Sequence, residues 1–493
     1  MTKTFVNSRF FYRIAESIVP ALTWIIITFP LWFSPFHPAI VAYFILAFIL
    51  YFLYKSIRTM YYAVISYTLI NQAGKIDWLS RLTKIPLHSK MYHFFIITNY
   101  KESVDKMIRT IEYIQNQKYA KEKMSIVLAM EAREGQAAHE RSRILHEKFS
   151  HCFGGFETVY HTLQEGEIAG KASNESYAAR HIARKIKNQN INPKNVLITI
   201  CDADSLLPNE YLAYTTTAFL EDTERAYHFY CAPVFLYNNF WKLPLPIRVQ
   251  ATLSSILRLS FLSQKNHLIQ ISTYTVNLWL LQEVDFWDVD IIPEDWHIWL
   301  QAFFKYGSRV ETIPIYLPIS ADATLGTTLF KTFKNRYEQE KRWSWGVSDI
   351  PYAIIRFFDT PRVPLMLKIR KIFQIAETHL LWPTTFFVLT ISASLPALIN
   401  PSFKRTVMGL LLPKLSSFIL TISSSLLLVF LYFDHKMRSR LNIKTKAIQL
   451  PILFIQWYLL PIISFFFSSL PALEAHTRML LGKKLEYKVT EKI

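Results

Sequence analysis

Apolar positions along this chain fall into two regimes. Near the N-terminus, residues 18–33 and 38–54 form charge-free apolar runs separated by the Pro-rich hairpin Phe33-Ser-Pro-Phe-His-Pro38. Towards the C-terminus lie three more, 379–399, 407–433 (with one interior charge, Lys414) and 449–470. Each is close to the ~20 residues needed to cross a bilayer. Between about residues 91 and 350 the pattern changes to short apolar runs alternating with amphipathic stretches. Strands are expected at 92–98, 124–130, 156–162 and 195–201, with helices at 103–117, about 137–149 and from the 166–171 loop to about 188. Strands alternating with helices imply βαβ crossovers and a largely parallel sheet covered on both faces. Further on, strands are expected at 227–235, 270–276 and 309–317. An amphipathic helix is expected over 239–266, another from Pro293 to Gly307, and one more after a polar loop at 320–328.

Composition sharpens this picture. Of 493 residues only 19 % are charged while 15 % are aromatic, and Trp24, Trp32, Trp382 and Trp457 fall within or at the ends of the apolar runs. These features describe an integral membrane protein. Lys3, Arg9 and Arg13 precede the first run and Lys55 and Arg58 follow the second, whereas the hairpin between them carries no Lys or Arg. By the positive-inside rule the N-terminus and the central region are cytoplasmic at a plasma (inner) membrane. The cluster Lys436, Arg438, Arg440, Lys444 and Lys446 is also cytoplasmic, which puts a tail carrying Lys483, Lys484, Lys488 and Lys492 outside unless Pro451, Pro461 and Pro471 break the last run into a re-entrant segment. Cys152, Cys201 and Cys231 have no metal-binding spacing and read as reduced thiols. The net charge of +18 suits an anionic inner leaflet. Its basic residues are spread out with no nucleic-acid module, so no nucleic-acid partner is expected.

Candidate chemistry sits at the ends of the expected strands. The fourth strand, Asn195-Val-Leu-Ile-Thr-Ile-Cys201, delivers Asp202-Ala-Asp204 at the sheet edge where α/β proteins bind ligands. Two such carboxylates repel each other unless a cation lies between them, and their oxygens suit Mg2+ or Mn2+. Alone, the same tripeptide reads equally as an acidic turn capping the helix that Pro208 opens. Other polar groups recur in order: Thr98, Tyr100 and Glu102 after the first strand, Glu131 after the second, Lys171 in Gly-Lys-Ala, Glu294-Asp295 at a helix start, and Gln339-x-x-Arg342-Trp343 on a later helix. No His-Glu-x-x-His, Gly-x-Ser-x-Gly, Walker or Gly-x-Gly-x-x-Gly pattern is present.

This ordered set, with apolar runs on both sides, resembles the membrane-bound family 2 glycosyltransferases that include cellulose, chitin and hyaluronan synthases. The likeness covers roughly residues 90–350 and extends to the flanking membrane helices. It implies an α/β, GT-A-type domain (91–350) between an N-terminal helix pair (1–60) with its connector (61–90) and a C-terminal bundle (379–472), with interfacial helices at 351–378 and a tail at 473–493. It also implies an inverting hexosyltransferase that uses a nucleotide sugar, by expectation a uridine diphosphate sugar, and a glycan or lipid hydroxyl as acceptor. Residue by residue, Thr98, Tyr100, Glu102, Glu131 and Lys171 would hold the nucleotide, and Asp202 and Asp204 a Mg2+ or Mn2+. Asp295, with Glu294 beside it, would be the general base, Gln339 and Arg342 would meet the diphosphate, and Trp343 would stack on the acceptor. Two departures stand out: Glu131 occupies a position usually held by Asp, and Ser272-Thr-Tyr-Thr275 replaces a Gly-rich acceptor segment. The 320–328 loop matches the mobile gating loop of these synthases in position. The Gln-x-x-Arg-Trp motif points to processive polysaccharide synthesis, with one-step transfer to a lipid or short glycan as the alternative within the class. A transporter or scaffold with a degenerate nucleotide domain is the alternative outside it.

Overall fold

The computed structural model describes residues 8–485; Lys3, Lys488 and Lys492, used above for orientation, lie outside the described residues. Two long helices open the chain, α1 (Arg9–Phe33) and α2 (Pro38–Ala73). The sequence pattern ends the second apolar run at Tyr54, yet the helix continues through the connector, because nothing before Gly74 breaks it. At 36 residues α2 is about 54 Å long, well beyond a hydrocarbon core of ~30 Å. Its C-terminal half therefore extends past the bilayer.

The central domain follows in the order β1 (Tyr92–Asn99), α3 (Val104–Gln115), β2 (Met124–Glu131), α4 (Gln136–Phe149), β3 (Gly155–His161), α5 (Lys171–Asn188) and β4 (Val196–Asp202). These four strands pair in parallel, and every residue of β1 from His93 to Ile97 is buried. Phe94 and Ile96 pack on one face with Ala178 and Ile182 of α5. Phe95 and Ile97 pack on the other with Met107, Ile111 and Leu145 of α3 and α4. Period-two alternation thus persists, with both phases apolar because both faces are covered.

Beyond β4 come α6 (Tyr211–Glu221), β5 (Phe229–Cys231), β6 (Val234–Phe235), α7 (Leu245–Leu262), β7 (Tyr274–Asn277), α8 (Glu294–Tyr306), β8 (Thr312–Pro314), β9 (Ile319–Ser320) and α9 (Leu329–Ser344). The seven-stranded sheet has the order β3-β2-β1-β4-β7-β5-β8, with β7 antiparallel, and β6 and β9 form a separate pair. Three expected strands are shorter than the apolar pattern suggests. The 227–235 run splits between the two sheets at Pro233, which has no N–H to donate, and 309–317 ends at Pro314. The 270–276 run starts only at Tyr274, because Ser272 takes a left-handed φ of 65°.

Helix α10 (Asp349–Asp359) leads to α11 (Leu365–Thr390), which continues after a 49° bend into residues 392–399. Next come α12 (Val407–Arg440) and α13 (Ala447–Leu480). Pro451, Pro461 and Pro471 each begin a helical piece within α13. Among the described residues, four helices are long and apolar enough to cross a membrane, or five if the bent pair is one span. The expected tail at 473–493 is helical as far as Leu480 and packs on α1, where Arg13 donates to the carbonyls of Met479 and Leu480.

Candidate active site

The carboxyl edge of the parallel sheet gathers most of the residues singled out above. Thr98 lies opposite Asp202 in the β1–β4 register, and Glu131 closes β2 one strand further out. Asp202 is partly exposed while Asp204 is buried, its backbone carbonyl accepting from Asn238 Nδ2 at 3.2 Å.

Lys171, the first residue of α5, sits at the centre. Its Nζ lies 2.9 Å from Asp202, 3.3 Å from Glu294, 3.5 Å from Glu175 and 4.0 Å from Asp295. Burial alone would depress this ammonium, but Asp202, Asp295, Glu175 and Glu294 together hold it well above the usual lysine range. The Ile168 amide donates to Val289 O at 2.8 Å, tying the loop before α5 to the segment before α8. Two chain segments distant in sequence are thereby held at one point.

Ser272 joins the two ends of the site. Its hydroxyl donates to the Asp202 carboxylate, its amide donates to Asp295 Oδ2 at 2.8 Å, and its carbonyl accepts from Lys171 at 3.3 Å. Thr273 continues the brace, its hydroxyl bonding Ser205 Oγ at 2.8 Å and accepting from the Asp202 amide at 3.3 Å. The unusual Ser-Thr pair is thus the strut between the candidate metal carboxylate and the candidate base.

Asp295 stands in the first turn of α8, where the helix dipole favours its anion. Burial nevertheless dominates and, with Glu294 adding to it, pushes the carboxyl up to about 7, against the lowering pull of Lys171 and the Ser272 amide. Its Oδ1 is buried without a hydrogen bond. Gln270 Nε2 holds the Asp295 carbonyl at 2.9 Å. Further along α8, His297 is hydrogen-bonded to Asp349 of α10 at 2.7 Å and to Asp288 at 2.9 Å. Burial would lower this imidazole, but the two carboxylates raise it to about 9. A charged imidazole therefore anchors the helix that carries Asp295.

A second polar group surrounds Glu131. Arg133 pairs with its carboxylate and lays its guanidinium 4.3 Å from the Tyr100 ring centroid. Burial raises Glu131, against the opposing pull of Arg133 and Asn174. Glu102 instead turns back onto its own helix and pairs with Lys106 at 2.7 Å.

The third group is built on α9. Arg336 donates to Gln250 Oε1 at 2.8 Å, Gln339 Oε1 at 2.6 Å and Glu340 Oε2 at 2.5 Å. Gln339 Oε1 also accepts from Thr324 at 2.9 Å. Arg336 and Arg258 lie 4.8 and 5.7 Å from the Trp343 ring, and Arg342 and Trp343 are half-buried. The 320–328 loop differs from a freely mobile gate in its first half. Ala321 and Ala323 are held by backbone and Asn239 hydrogen bonds, and Asp322 pairs with Arg109 at 2.8 Å. The loop's second half is tied to α9, where the Gly326 amide donates to Thr332 Oγ1 at 3.0 Å and Thr328 caps the helix by accepting from the Lys331 amide at 3.2 Å.

Asp202, Glu294 and Asp295 therefore gather around Lys171, Tyr100 and Glu131 are joined through Arg133, and Gln339 and Trp343 share Arg336. Sequence reasoning missed Ser272 as a strut, Glu175 and Arg258. Glu175 is fully buried with neither oxygen hydrogen-bonded. Its spacing of four from Lys171 on one helix was the available signal. Among the described residues no third His, Cys, Asp or Glu joins Asp202 and Asp204 in a metal-holding group. A pair of carboxylates still fits Mg2+ or Mn2+, which commonly take one or two protein carboxylates and complete their shell with phosphate oxygens and water.

Residues 197–433 match the family model described as glycosyl transferase family group 2. Among solved structures, the chain is similar to the mannosyltransferase PcManGT from Pyrobaculum calidifontis in complex with GDP-Man and Mn2+. Identity is 14 %, coverage is 78 % of this chain and 100 % of that one, and the TM-score is 0.43. It is also similar to S. aureus TarS 1–349 in complex with UDP-GlcNAc, at 10 % identity, 80 % and 93 % coverage, and a TM-score of 0.35. No curated protein matches the chain significantly. The matched segment begins in β4 beside Asp202 and runs through Asp295 and the Gln-x-x-Arg-Trp helix into α12. The stretch that matches the family 2 glycosyltransferase model thus lies in a mostly parallel, seven-stranded α/β domain joined to membrane-length helices.

Proposed function

We propose that the protein transfers a sugar from a uridine diphosphate sugar to a hydroxyl of a glycan or lipid, at the cytoplasmic face of a plasma (inner) membrane. Asp295 takes the proton from the acceptor hydroxyl as that oxygen attacks the anomeric carbon, the glycosidic bond forms, and the bond to the diphosphate breaks. A carboxyl raised to about 7 suits this step, since a base works best with a pKa near the operating pH. Asp202 and Asp204 hold a Mg2+ or Mn2+, which when bound offsets the charge growing on the departing diphosphate. Lys171 supplies a fixed positive charge on the same side, and Glu294 shares that lysine with Asp295. Tyr100, Glu131 and Arg133 receive the nucleotide, with Thr98 at the sheet edge. Gln339 and Arg342 approach the diphosphate, and Trp343 offers an apolar face to the acceptor sugar.

The observation that carries this reading is the Ser272 strut, which holds a candidate metal carboxylate and a candidate base on adjoining groups of one residue. Release of nucleoside diphosphate from a panel of sugar donors, with and without Mn2+, tests it. We expect turnover with a uridine diphosphate sugar, abolished by chelator and by Asp295→Asn. Activity that survives either treatment would sink the mechanism. The four or five membrane-length helices favour one-step transfer over polymer synthesis, and sizing the product separates the two.

A further inference from the structure

Helix α7 packs along α2, showing the apolar side chains of Leu257 and Phe261 outward while Arg258 turns in towards Trp343. Two guanidinium groups therefore lie beside one indole, and they differ in how they are satisfied. Arg336 is spent on Gln250, Gln339 and Glu340. Arg258 donates from Nη1 to the Val234 carbonyl at 3.3 Å. Among the described residues, no carboxylate lies within ion-pair distance of it.

A guanidinium carries five donors in a planar fork. Arg258 is half-buried, and taking such a charge partly out of water without a counter-anion is costly. Burial, with Arg336 adding to it, lowers Arg258 to about 10, while Asp202, Cys231 and Asp295 pull the other way. Arg258 thus lies in the electrostatic field of the reaction centre without touching its carboxylates. Its planar fork of donors has the geometry that matches phosphate oxygens two at a time.

We propose that Arg258 is a phosphate-binding residue of the reaction centre, recognising a phosphate group carried in by a substrate beside Trp343. This rests on the glycosyltransferase reading above and deepens it. That phosphate has two possible sources: the diphosphate of the donor, or a phosphate on an amphipathic acceptor arriving along the outward apolar side chains of α7. Both present the same oxyanion to the same fork.

The experiment uses the full chain in neutral detergent micelles and measures binding of UDP with Mn2+ and, separately, of dodecyl phosphate, with dodecanol as the uncharged control. Arg258→Gln removes the charge, and Arg258→Lys keeps the charge but not the fork. We expect Arg258→Gln to weaken one of the two phosphate ligands about tenfold or more, the range of a lost charged hydrogen bond, with Arg258→Lys intermediate. Selective loss of UDP identifies the donor as the source, and selective loss of dodecyl phosphate identifies the acceptor. In either case the unaffected ligand reports that the fold is intact. Binding of both ligands within about twofold of wild type by Arg258→Gln overturns the proposal. So does equal loss of both ligands in both variants, which would mark a scaffolding arginine, or binding of dodecanol as tight as dodecyl phosphate. Wild-type protein that binds no UDP but does bind dodecyl phosphate through Arg258 would count against the donor assignment and not against this residue.

Discussion

Two carboxylate groupings on the same sheet edge are neutralised in different ways. At β2, Glu131 has its own cation, because Arg133 closes on it and rests on Tyr100. At β4 and α8, Asp202, Glu294, Asp295 and Glu175 share the single ammonium of Lys171 within 4.0 Å. The first grouping is balanced by the protein alone and has the character of a recognition pocket. The second keeps an excess of negative charge, and that excess drives Asp295 and Glu175 above the usual carboxylate range once burial has removed water. A grouping left short of positive charge attracts a further cation.

Removing the base breaks the crowded side most severely. Asp295→Asn should lower kcat about 10²–10⁴-fold, read as nucleoside diphosphate release. In the wild type this activity should rise with pH through about 7, because only the deprotonated carboxyl accepts a proton. The same shift has a consequence for stability. The folded state holds a proton that the unfolded carboxyl, titrating near 3.8, has released, so stability falls as pH rises from about 4 to about 7. Thermal unfolding across that window checks the sign, and Asp295→Asn should flatten the slope.

Lys171→Met should come next. It leaves buried carboxylates without their shared counter-charge, a change that typically costs about 3–5 kcal/mol, measurable by chemical or thermal unfolding. It should also move the pH midpoint of activity upward, because the lysine lowers Asp295. The smallest effect belongs to the balanced grouping. Glu131→Gln should weaken nucleotide binding by about 1–3 kcal/mol, the size of a buried polar group losing its match, with kcat little changed. An equal fall in kcat would erase the distinction between the two groupings.

Much of this architecture is legible along the chain. The charge-free runs mark membrane helices because a bilayer admits few alternatives. Three of the four parallel strands read clearly because each is apolar on both faces, and the edge strand β3 mixes polar and apolar positions instead, with Phe156 and Val159 buried. Glu131 and Asp202 stand at strand ends, and Asp295 in a first turn, as expected. Local pattern fails where the backbone departs from it: at Pro233 and Pro314, at the left-handed Ser272, and in α2, which runs on through a connector without a break. The partner of Glu102 is hidden for a related reason. Its place after β1 says nothing of the lysine one turn later, which captures it.

By itself the sequence determined which elements form and which of them end in acidic residues, since hydrophobic periodicity and turn chemistry act over neighbouring residues. Only the tertiary structure decided that Lys171, Glu175, Asp202, Ser272, Glu294 and Asp295 meet. It also decided that Arg258 lies beside Trp343 without a carboxylate of its own. Those relations join residues far apart in the chain, and their energies depend on distance and on how much water remains between the charges. No one-dimensional pattern contains either quantity.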